Sequence, residues 1–280
     1  MSSYKTPIGE LPSRDPVMRA LLTLCFLIPS LSLAQVVNIE SDRGGDKQGL
    51  HGNTEAGVSL QRGNVQVFQY QIALRGDYIS GIHHSLLIGS TSYGEEEGNP
   101  FQNESYAHLR WTAMWFGNVG TEVFTQVQQD EFKLLTLRQL TGGGLRFTFF
   151  QDHLALGVGG MSDVEKIEGV EGHKIDARGT SYVRLGNEWD KRIKGQIIGY
   201  YQPLFNDPED YRLTATGSLD FKVTKSLSVV NEMNYTYDTQ PPEGVINDDL
   251  QLRFKLKIKW GYYEKEIFKQ SILVYFIRRG

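Results

Sequence analysis

The sequence predicts an all-β fold, an antiparallel transmembrane β-barrel of about twelve strands preceded by a signal peptide. The prediction rests on an export-like N-terminus, on segments that alternate strictly, and on aromatic residues near the strand ends. The clearest segment is "LQLRFKLKIKW" (250–260), where apolar residues alternate with Gln, Arg and Lys without exception. A period of two indicates a β-strand with two unlike faces. The apolar face meets lipid in a membrane barrel, or a protein core in a soluble sheet.

Composition narrows the class of protein. The chain has 280 residues and a net charge of −4, with no strongly basic tract, which argues against nucleic-acid binding. Its mean hydropathy is −0.35, too low for a helical membrane protein. Membrane strands give a much weaker hydropathy pattern than membrane helices, because every second residue faces the lumen. The low hydropathy is therefore compatible with a barrel.

The N-terminal segment predicts export. A basic start at Met18 leads into an apolar run over 20–28 and a small-x-small cleavage site that ends at Ala34. We therefore assign 1–34 to an N-terminal extension and signal peptide, with Met18 as the natural start. The only cysteine, Cys25, lies in this segment, so the mature chain has no disulfide.

The remaining chain divides into a polar lead (35–53), a barrel (54–260) and a C-terminal tail or extra strand (261–280). Within the barrel, about twelve segments have the length and alternation of membrane strands. They lie at 54–61, 64–75, 83–93, 105–114, 119–130, 136–149, 153–163, 177–188, 193–203, 210–222, 226–238 and 248–260.

The connections between these segments alternate in length from the third strand onward. The short ones are predicted at 115–118, 150–152, 190–192 and 223–225. The longer ones are predicted at 94–104, 131–135, 164–176, 204–209 and 239–247. Outer-membrane barrels have short periplasmic turns and longer outer loops, and an even number of strands leaves both termini in the periplasm.

Aromatic residues gather at the strand ends that border the short turns. Trp and Tyr collect at membrane interfaces because an apolar ring with a polar tip suits that boundary. The predicted girdle residues are Trp115, Phe116, Phe149, Trp189, Phe221 and Trp260. The alternative is that strands are simply rich in aromatic residues.

The faces opposite the apolar ones carry many charges, which a dry protein core would bury only at great cost. We therefore predict that they line a wet lumen. The predicted lumen residues are Arg110, Glu122, Arg138, Arg146, Arg178, Arg184, Arg212, Asp220, Glu232, Arg253 and Lys255. Two alternatives remain open: basic rings favour anions in a pore, whereas pairing among the charges fills and narrows the lumen.

Four blocks resemble the salt-induced outer-membrane protein family, the YdiY-like proteins of unknown function. The blocks are "YAHLRWTAMW" (106–115), "EVFTQVQQDEFKLLTLRQLTGGGLRF" (122–147), "YYQPLFNDPEDYRL" (200–213) and "YDTQPPEGVINDDLQL" (237–252). The resemblance covers about 53–260 and implies an outer-membrane barrel, but no reaction, ligand or catalytic residue. The chain departs from the family at its end, where Trp260 is followed by further residues.

No motif for catalysis is present. His108 faces the predicted lumen without a serine partner, and His153 belongs to a turn. The glycine runs at 142–144 and 157–160 lack the setting of phosphate loops and instead indicate close packing in a curved sheet. We predict that the protein is not an enzyme and uses no cofactor or metal.

The sequence therefore predicts an envelope protein of the bacterial outer membrane, with a structural role or a narrow channel. The resemblance implies an association with salt or osmotic stress. The alternatives are a pore that prefers small anions, a barrel enzyme acting on lipid, and a soluble periplasmic β-protein. Expected partners are outer-membrane lipid, lipopolysaccharide and the barrel-insertion machinery, with no nucleic acid.

Overall fold

The computed structural model describes residues 48–63, 65–190 and 192–263, which form a closed antiparallel β-barrel. The strands are β1 (Gly49–Gln61), β2 (Val67–Ser80), β3 (His83–Glu96), β4 (Asn99–Met114), β5 (Val119–Asp130), β6 (Leu135–Phe149), β7 (Leu154–Ile167), β8 (Lys174–Asp190), β9 (Ile193–Pro203), β10 (Tyr211–Lys222), β11 (Leu227–Asp238) and β12 (Asp248–Tyr263). A single 3-10 turn, Glu131–Lys133, lies between β5 and β6. The predicted all-β fold, an antiparallel barrel of about twelve strands, is confirmed.

The strands have an inverted distribution of polarity, which β12 shows most clearly. Gln251 and Lys257 are each 2% exposed, whereas Leu256 and Ile258 are each 55% exposed. A soluble protein places apolar side chains inside and charged ones outside, because burying an unpaired charge is costly. In this barrel the alternation puts the polar face inside and the apolar face outside.

The barrel closes where β12 returns to β1. This closing ladder runs from the pair Gly49 and Tyr263 to the pair Ala56 and Leu256. Closure leaves no strand without two neighbours, so neither of the exposed edges of an open sheet remains. The other ladders join each strand to the next strand along the chain.

Both ends of the predicted barrel segment, 54 and 260, differ from those of the observed barrel. β1 begins at Gly49, inside the predicted polar lead, and β12 continues past 260 to Tyr263. The start of β1 was not predicted because its glycines are typical of a loop. The fold requires a glycine at position 52, where a Cβ would lie 2.1 Å from the Arg75 carbonyl oxygen and 2.6 Å from the Trp260 ring. The predicted signal peptide, residues 35–47 of the lead, and residues 264–280 lie outside the described residues.

Three predicted segment boundaries were wrong. The loop predicted at 94–104 is a hairpin whose turn is only 97–98, with φ values of 51° at Glu97 and 81° at Gly98. The loop predicted at 164–176 shrinks to 168–173, and β2 ends at Ser80 rather than at 75. In each case the segment contains Gly, Asp or Glu residues that are common in loops. Backbone pairing with a neighbouring strand nevertheless holds these residues in an extended conformation.

The two ends of the barrel differ, and they are named here for their connections. The short-turn end carries 81–82, 115–118, 150–153, 191–192 and 223–226, together with the start of β1 and the end of β12. The long-loop end carries 62–66, 97–98, 131–134, 168–173, 204–210 and 239–247. The predicted alternation of connection length therefore fails at 97–98 and also at 131–134, which is no longer than 115–118 or 150–153. Within the described residues no helix has the length and apolar character to cross a membrane.

Candidate functional site in the barrel interior

The structure brings the predicted lumen residues into the interior of the barrel. Arg138 and Arg212 retain slight exposure, with 17% and 11% of the side chain accessible. The other nine are buried: Arg110, Glu122, Arg146, Arg178, Arg184, Asp220, Glu232, Arg253 and Lys255. They do not form one continuous row of positive charge. Instead they divide into separate groups, in which each cation contacts carboxylates.

The largest group, here called the long-loop cluster, consists of Arg138, Asp163, Glu165, Arg178, Asp210, Arg212 and Asp238. Arg212 lies at its centre, 2.6 Å from Asp163, 2.9 Å from Glu165 and 2.7 Å from Asp238. Arg138 pairs with Glu165, and Arg178 is 2.9 Å from Asp210. Because these residues come from neighbouring strands β6 to β11 and the 204–210 loop, the cluster links half of the barrel wall.

A second group, the Glu122 cluster, lies on the inner face of the wall nearer the short-turn end. Glu122 on β5 accepts hydrogen bonds from the Tyr182 hydroxyl at 2.8 Å and from Arg110 at 3.2 Å. Arg146 donates to the same Tyr182 oxygen at 2.8 Å. Tyr182 is on β8 and its ring lies against Gly157 on β7, so this contact joins strands that are three apart along the inner face of the wall.

A third group, the lysine cluster, lies beneath the closing ladder. Lys255 is 2.8 Å from Glu55 and 3.0 Å from Glu232. Lys257 is 3.2 Å from Glu55 and 3.3 Å from Asp220. These contacts connect β1, β10, β11 and β12, so the charges support the seam at which the barrel closes.

Two further contacts tie distant elements together. Arg253 on β12 reaches across the interior to Glu104 on β4, at 3.2 Å. Arg184 contacts Asp152 in the 150–153 turn, at 3.3 Å. All eight predicted lumen cations therefore have a carboxylate within 3.3 Å.

Sequence reasoning missed most of the carboxylates that pair with these cations. Glu55, Asp163, Asp210 and Asp238 fell near predicted strand ends, and Glu165 fell in a predicted loop. The alternation along β7 could have identified two of these carboxylates, because Asp163 and Glu165 continue the series of every second residue that points inward. The expected excess of positive charge in the lumen was therefore overestimated.

The predicted girdle residues lie at or next to the short-turn end and are accessible from outside. Phe116 is 79% exposed and Trp189 is 63% exposed, and Phe221 is partly buried. Trp115, Phe149 and Trp260 are also exposed. Whether they border a lipid interface stays a prediction at this point.

The residues considered for catalysis have structural contacts. His108 stacks between Tyr106 and Phe124, at ring-centroid distances of 6.2 Å and 5.8 Å. His153 Nδ1 lies 2.5 Å from the carbonyl oxygen of Phe150, within the turn. Among the described residues, no cluster of His, Cys, Asp and Glu has an arrangement that would hold a metal ion.

The two glycine runs face each other across neighbouring strands. Gly143 pairs with Gly160 and Gly144 pairs with Gly159. A Cβ at Gly159 would lie 2.2 Å from the Gly143 carbonyl oxygen, so no larger residue fits without a shift of the backbone. The glycines therefore serve close packing of β6 against β7.

A cavity of about 360 Å³, here called the vestibule, lies at the long-loop end among the 131–134, 168–173 and 239–247 loops. Lys133, Val170, Ile246 and Asp249 are among its lining residues. Arg138, Glu165 and Arg212 of the long-loop cluster line it too, and it extends inward past them to Leu140 and Thr214.

A protein-family model matches residues 54–260, which include most of β1 and nearly all of β12. Its description is "Protein of unknown function, DUF481". The chain belongs to the DUF481 family. The salt-induced, YdiY-like name is no part of that description and stays a prediction for this DUF481 barrel. Among curated proteins, none matches the chain.

Several solved structures are similar to the DUF481 barrel. The translocator domain of the autotransporter NalP from Neisseria meningitidis has a TM-score of 0.44 and 8% identity, covering 79% of this chain and 90% of its own. The NanC porin has a TM-score of 0.43 and 10% identity, covering 77% and 99%. An anion-selective porin from Comamonas acidovorans has a TM-score of 0.35 and 8% identity, covering 76% and 98%. At these values the similarity transfers no function to this chain.

Proposed function

We propose that this DUF481 protein is an outer-membrane β-barrel of the bacterial envelope whose lumen is closed by paired charges. The observation that carries the membrane assignment is an apolar belt around the whole barrel. Each strand exposes a large apolar side chain, from 42% to 69% accessible, in the set Val58, Leu74, Leu87, Leu109, Val123, Leu145, Val158, Val183, Ile197, Leu219, Met233 and Leu256. Monomeric soluble proteins rarely expose apolar surface on this scale, whereas membrane barrels require it.

The interior supports a structural role or a narrow channel rather than a wide pore. The long-loop cluster, the Glu122 cluster and the lysine cluster direct bulky paired side chains inward over most of the circumference of the wall. In an open pore a row of cations attracts anions. Here the eight cations of the predicted lumen already have carboxylate partners, so little net field is left for a passing ion.

The orientation of the barrel and its partners are inferred from its two unlike ends and its apolar belt. The short-turn end faces the periplasm and the long-loop end faces outward, as in other outer-membrane barrels. The belt contacts outer-membrane lipid and lipopolysaccharide, and the barrel-insertion machinery places the chain after export by the signal peptide. The association with salt or osmotic stress rests on the resemblance of the sequence blocks alone.

The first experiment measures ion conductance of the mature chain refolded in detergent and added to planar lipid bilayers. Heat-shifted migration in detergent gels first establishes that the barrel is folded. We expect the folded wild-type barrel to show no channel conductance. The double variant Arg146→Ala/Tyr182→Ala removes two bulky members of the Glu122 cluster, and we expect it to conduct in discrete steps.

A matched control replaces the exposed ion pair of Lys222 and Glu188, 2.6 Å apart at the short-turn end, by Lys222→Gln/Glu188→Gln. This variant is expected to stay silent. Discrete anion-selective steps from the wild type would instead establish the alternative, an anion-preferring pore. A protein that stays in solution without detergent and shows no heat shift would overturn the membrane assignment.

A further inference from the structure

The vestibule has the dimensions of a small-molecule site. Its volume of about 360 Å³ is at the lower end of the range usual for ligand pockets. It lies among the loops at the long-loop end, so a bound molecule would have no need to cross the barrel from the short-turn end. The chemistry of the walls decides what such a molecule would be.

One wall presents a buried carboxylate. Asp249 lines the vestibule and is 7% exposed. Its Oδ2 accepts a hydrogen bond from Gln251 at 3.3 Å and lies 3.6 Å from the Lys133 ammonium. Its Oδ1 has no hydrogen-bond partner among the described residues. Oδ1 is closed off from the cavity, and the Lys133 ammonium lies beyond hydrogen-bond distance of Oδ2. A ligand cation that took the place of Lys133 and donated to this carboxylate would form a stronger, charge-assisted hydrogen bond.

The charge around the vestibule favours a cation over an anion. Its lining holds five carboxylates and four cations: Asp130, Glu165, Asp238, Glu243 and Asp249 against Lys133, Arg138, Lys174 and Arg212. Arg138 and Arg212 are already shared among Asp163, Glu165 and Asp238. An incoming anion would therefore meet saturated arginines and additional carboxylates.

The opposite wall is apolar. Leu135 and Val170 line one side, and Pro241, Pro242 and Ile246 of the 239–247 loop line another. The two prolines restrict the backbone of that loop, which keeps the wall preformed. Such a wall suits a hydrocarbon or aromatic body rather than a fully hydrated ion.

The geometry points to the vestibule as a binding site for a small organic cation. The cationic group, an ammonium or guanidinium, would pair with the Asp249 carboxylate in place of the Lys133 ammonium, and the apolar body of the molecule would lie against the 239–247 loop. Lys133 is the internal competitor, because its ammonium approaches the same carboxylate from the 3-10 turn. This inference goes beyond the proposed function and holds whether or not the barrel conducts.

The test uses three probes of the same shape: 2-phenylethylamine, phenylacetate and 2-phenylethanol. Binding to the full barrel in detergent is measured by isothermal titration calorimetry at pH 7, with protein-free micelles as the blank. We expect the amine to bind at least about tenfold more tightly than the acid or the alcohol. Equal or tighter binding of phenylacetate, or no binding of the amine, would overturn the inference.

Two substitutions locate the site. Asp249→Asn removes the carboxylate without changing its shape, and we expect it to weaken amine binding about tenfold or more, since hydrogen bonds to charged groups are the strong ones. Lys133→Gln removes the competing ammonium and should strengthen binding. Asp248→Asn is the control, because Asp248 is the adjacent, exposed residue of β12 and the charge change is the same.

Each variant is first checked for heat-shifted migration. If Asp249→Asn fails to fold, the Lys133→Gln result decides, and weaker or unchanged binding of the amine in that variant contradicts the inference. An equal loss of affinity in Asp248→Asn and Asp249→Asn would also contradict it, because only the general charge of the vestibule would then matter. A conducting wild-type barrel would overturn the proposed closure but leave this result intact.

Discussion

The Tyr182 hydroxyl donates a hydrogen bond to Glu122 Oε2 at 2.8 Å, joining β8 to β5 over the two strands between them. The same hydroxyl accepts from Arg146 at 2.8 Å. One phenol oxygen thus bridges a carboxylate and a guanidinium that lie 3.6 Å apart. Because the residues come from three strands, their contact holds the wall at a fixed width.

Tyr182→Phe should therefore destabilise the barrel without leaving a large cavity. It removes hydrogen bonds to two charged groups, and we expect a loss of about 1.5–3 kcal/mol in the free energy of unfolding. Reversible urea unfolding in detergent measures it. Tyr201→Phe is the control, since Tyr201 is outward-facing and 41% exposed, and should change the free energy of unfolding by less than about 0.5 kcal/mol. Equal losses in the two variants would contradict the bridging role.

Asp163→Asn tests the long-loop cluster. Asp163 lies 2.6 Å from Arg212 and 3.5 Å from Arg178, and removing its charge leaves buried guanidinium groups undercompensated. The expected cost is about 3–5 kcal/mol of unfolding free energy. Glu188→Gln breaks the exposed pair with Lys222 and should cost no more than about 1 kcal/mol. A cost for Asp163→Asn as small as that of Glu188→Gln would show that water enters the cluster freely.

Gly159→Ala tests the close approach of β6 and β7. An added methyl group would meet the Gly143 carbonyl oxygen at 2.2 Å, and we expect a loss of about 1–3 kcal/mol or failure of the barrel to show a heat shift. The matched substitution is Gly217→Ala on β10, where an added Cβ meets nothing within 4 Å. It should be neutral to within about 0.5 kcal/mol. The two unfolding curves are compared in the same detergent.

Leu256→Arg tests the apolar belt directly. Leu256 is near the middle of β12 and 55% exposed, so an arginine there should cost about 2–4 kcal/mol when the barrel is unfolded from lipid vesicles. Val170→Arg, in the 168–173 loop at 61% exposure, should cost less than about 0.5 kcal/mol. If both substitutions were neutral in vesicles, the surface around Leu256 would face water.

The sequence allowed the strands and their inward faces to be predicted because alternation is a local property. Lys255 is buried and Leu256 is exposed because successive side chains of a strand point to opposite faces, and the residues on either side of them follow the same alternation. The sequence did not allow the cross-barrel partners to be predicted. Whether Arg253 reaches Glu104 depends on the stagger and diameter of the closed sheet, which no short segment contains.

The misassigned loops have a related cause. Glu95, Glu96 and Gly98 have the composition of a solvated turn, and pairing with β2 and β4 keeps the first two extended. Asp249 and its place in the vestibule were also missed. That site depends on the 239–247 loop, whose position relative to the 3-10 turn at Glu131–Lys133 follows from barrel closure.

The closing ladder also constrains the order in which the chain can assemble. It joins Gly49 to Tyr263, the first residue of β1 to the last of β12, whereas the other ladders join strands that follow each other in the chain. Hairpins can therefore form early from local contacts, but the final ladder must wait until every strand is available. Until that moment β1 and β12 each present an unpaired backbone edge that a foreign strand could occupy. The last step of folding is thus also the step at which the chain is most exposed to aggregation, and a cellular factor that shields those two edges would act there.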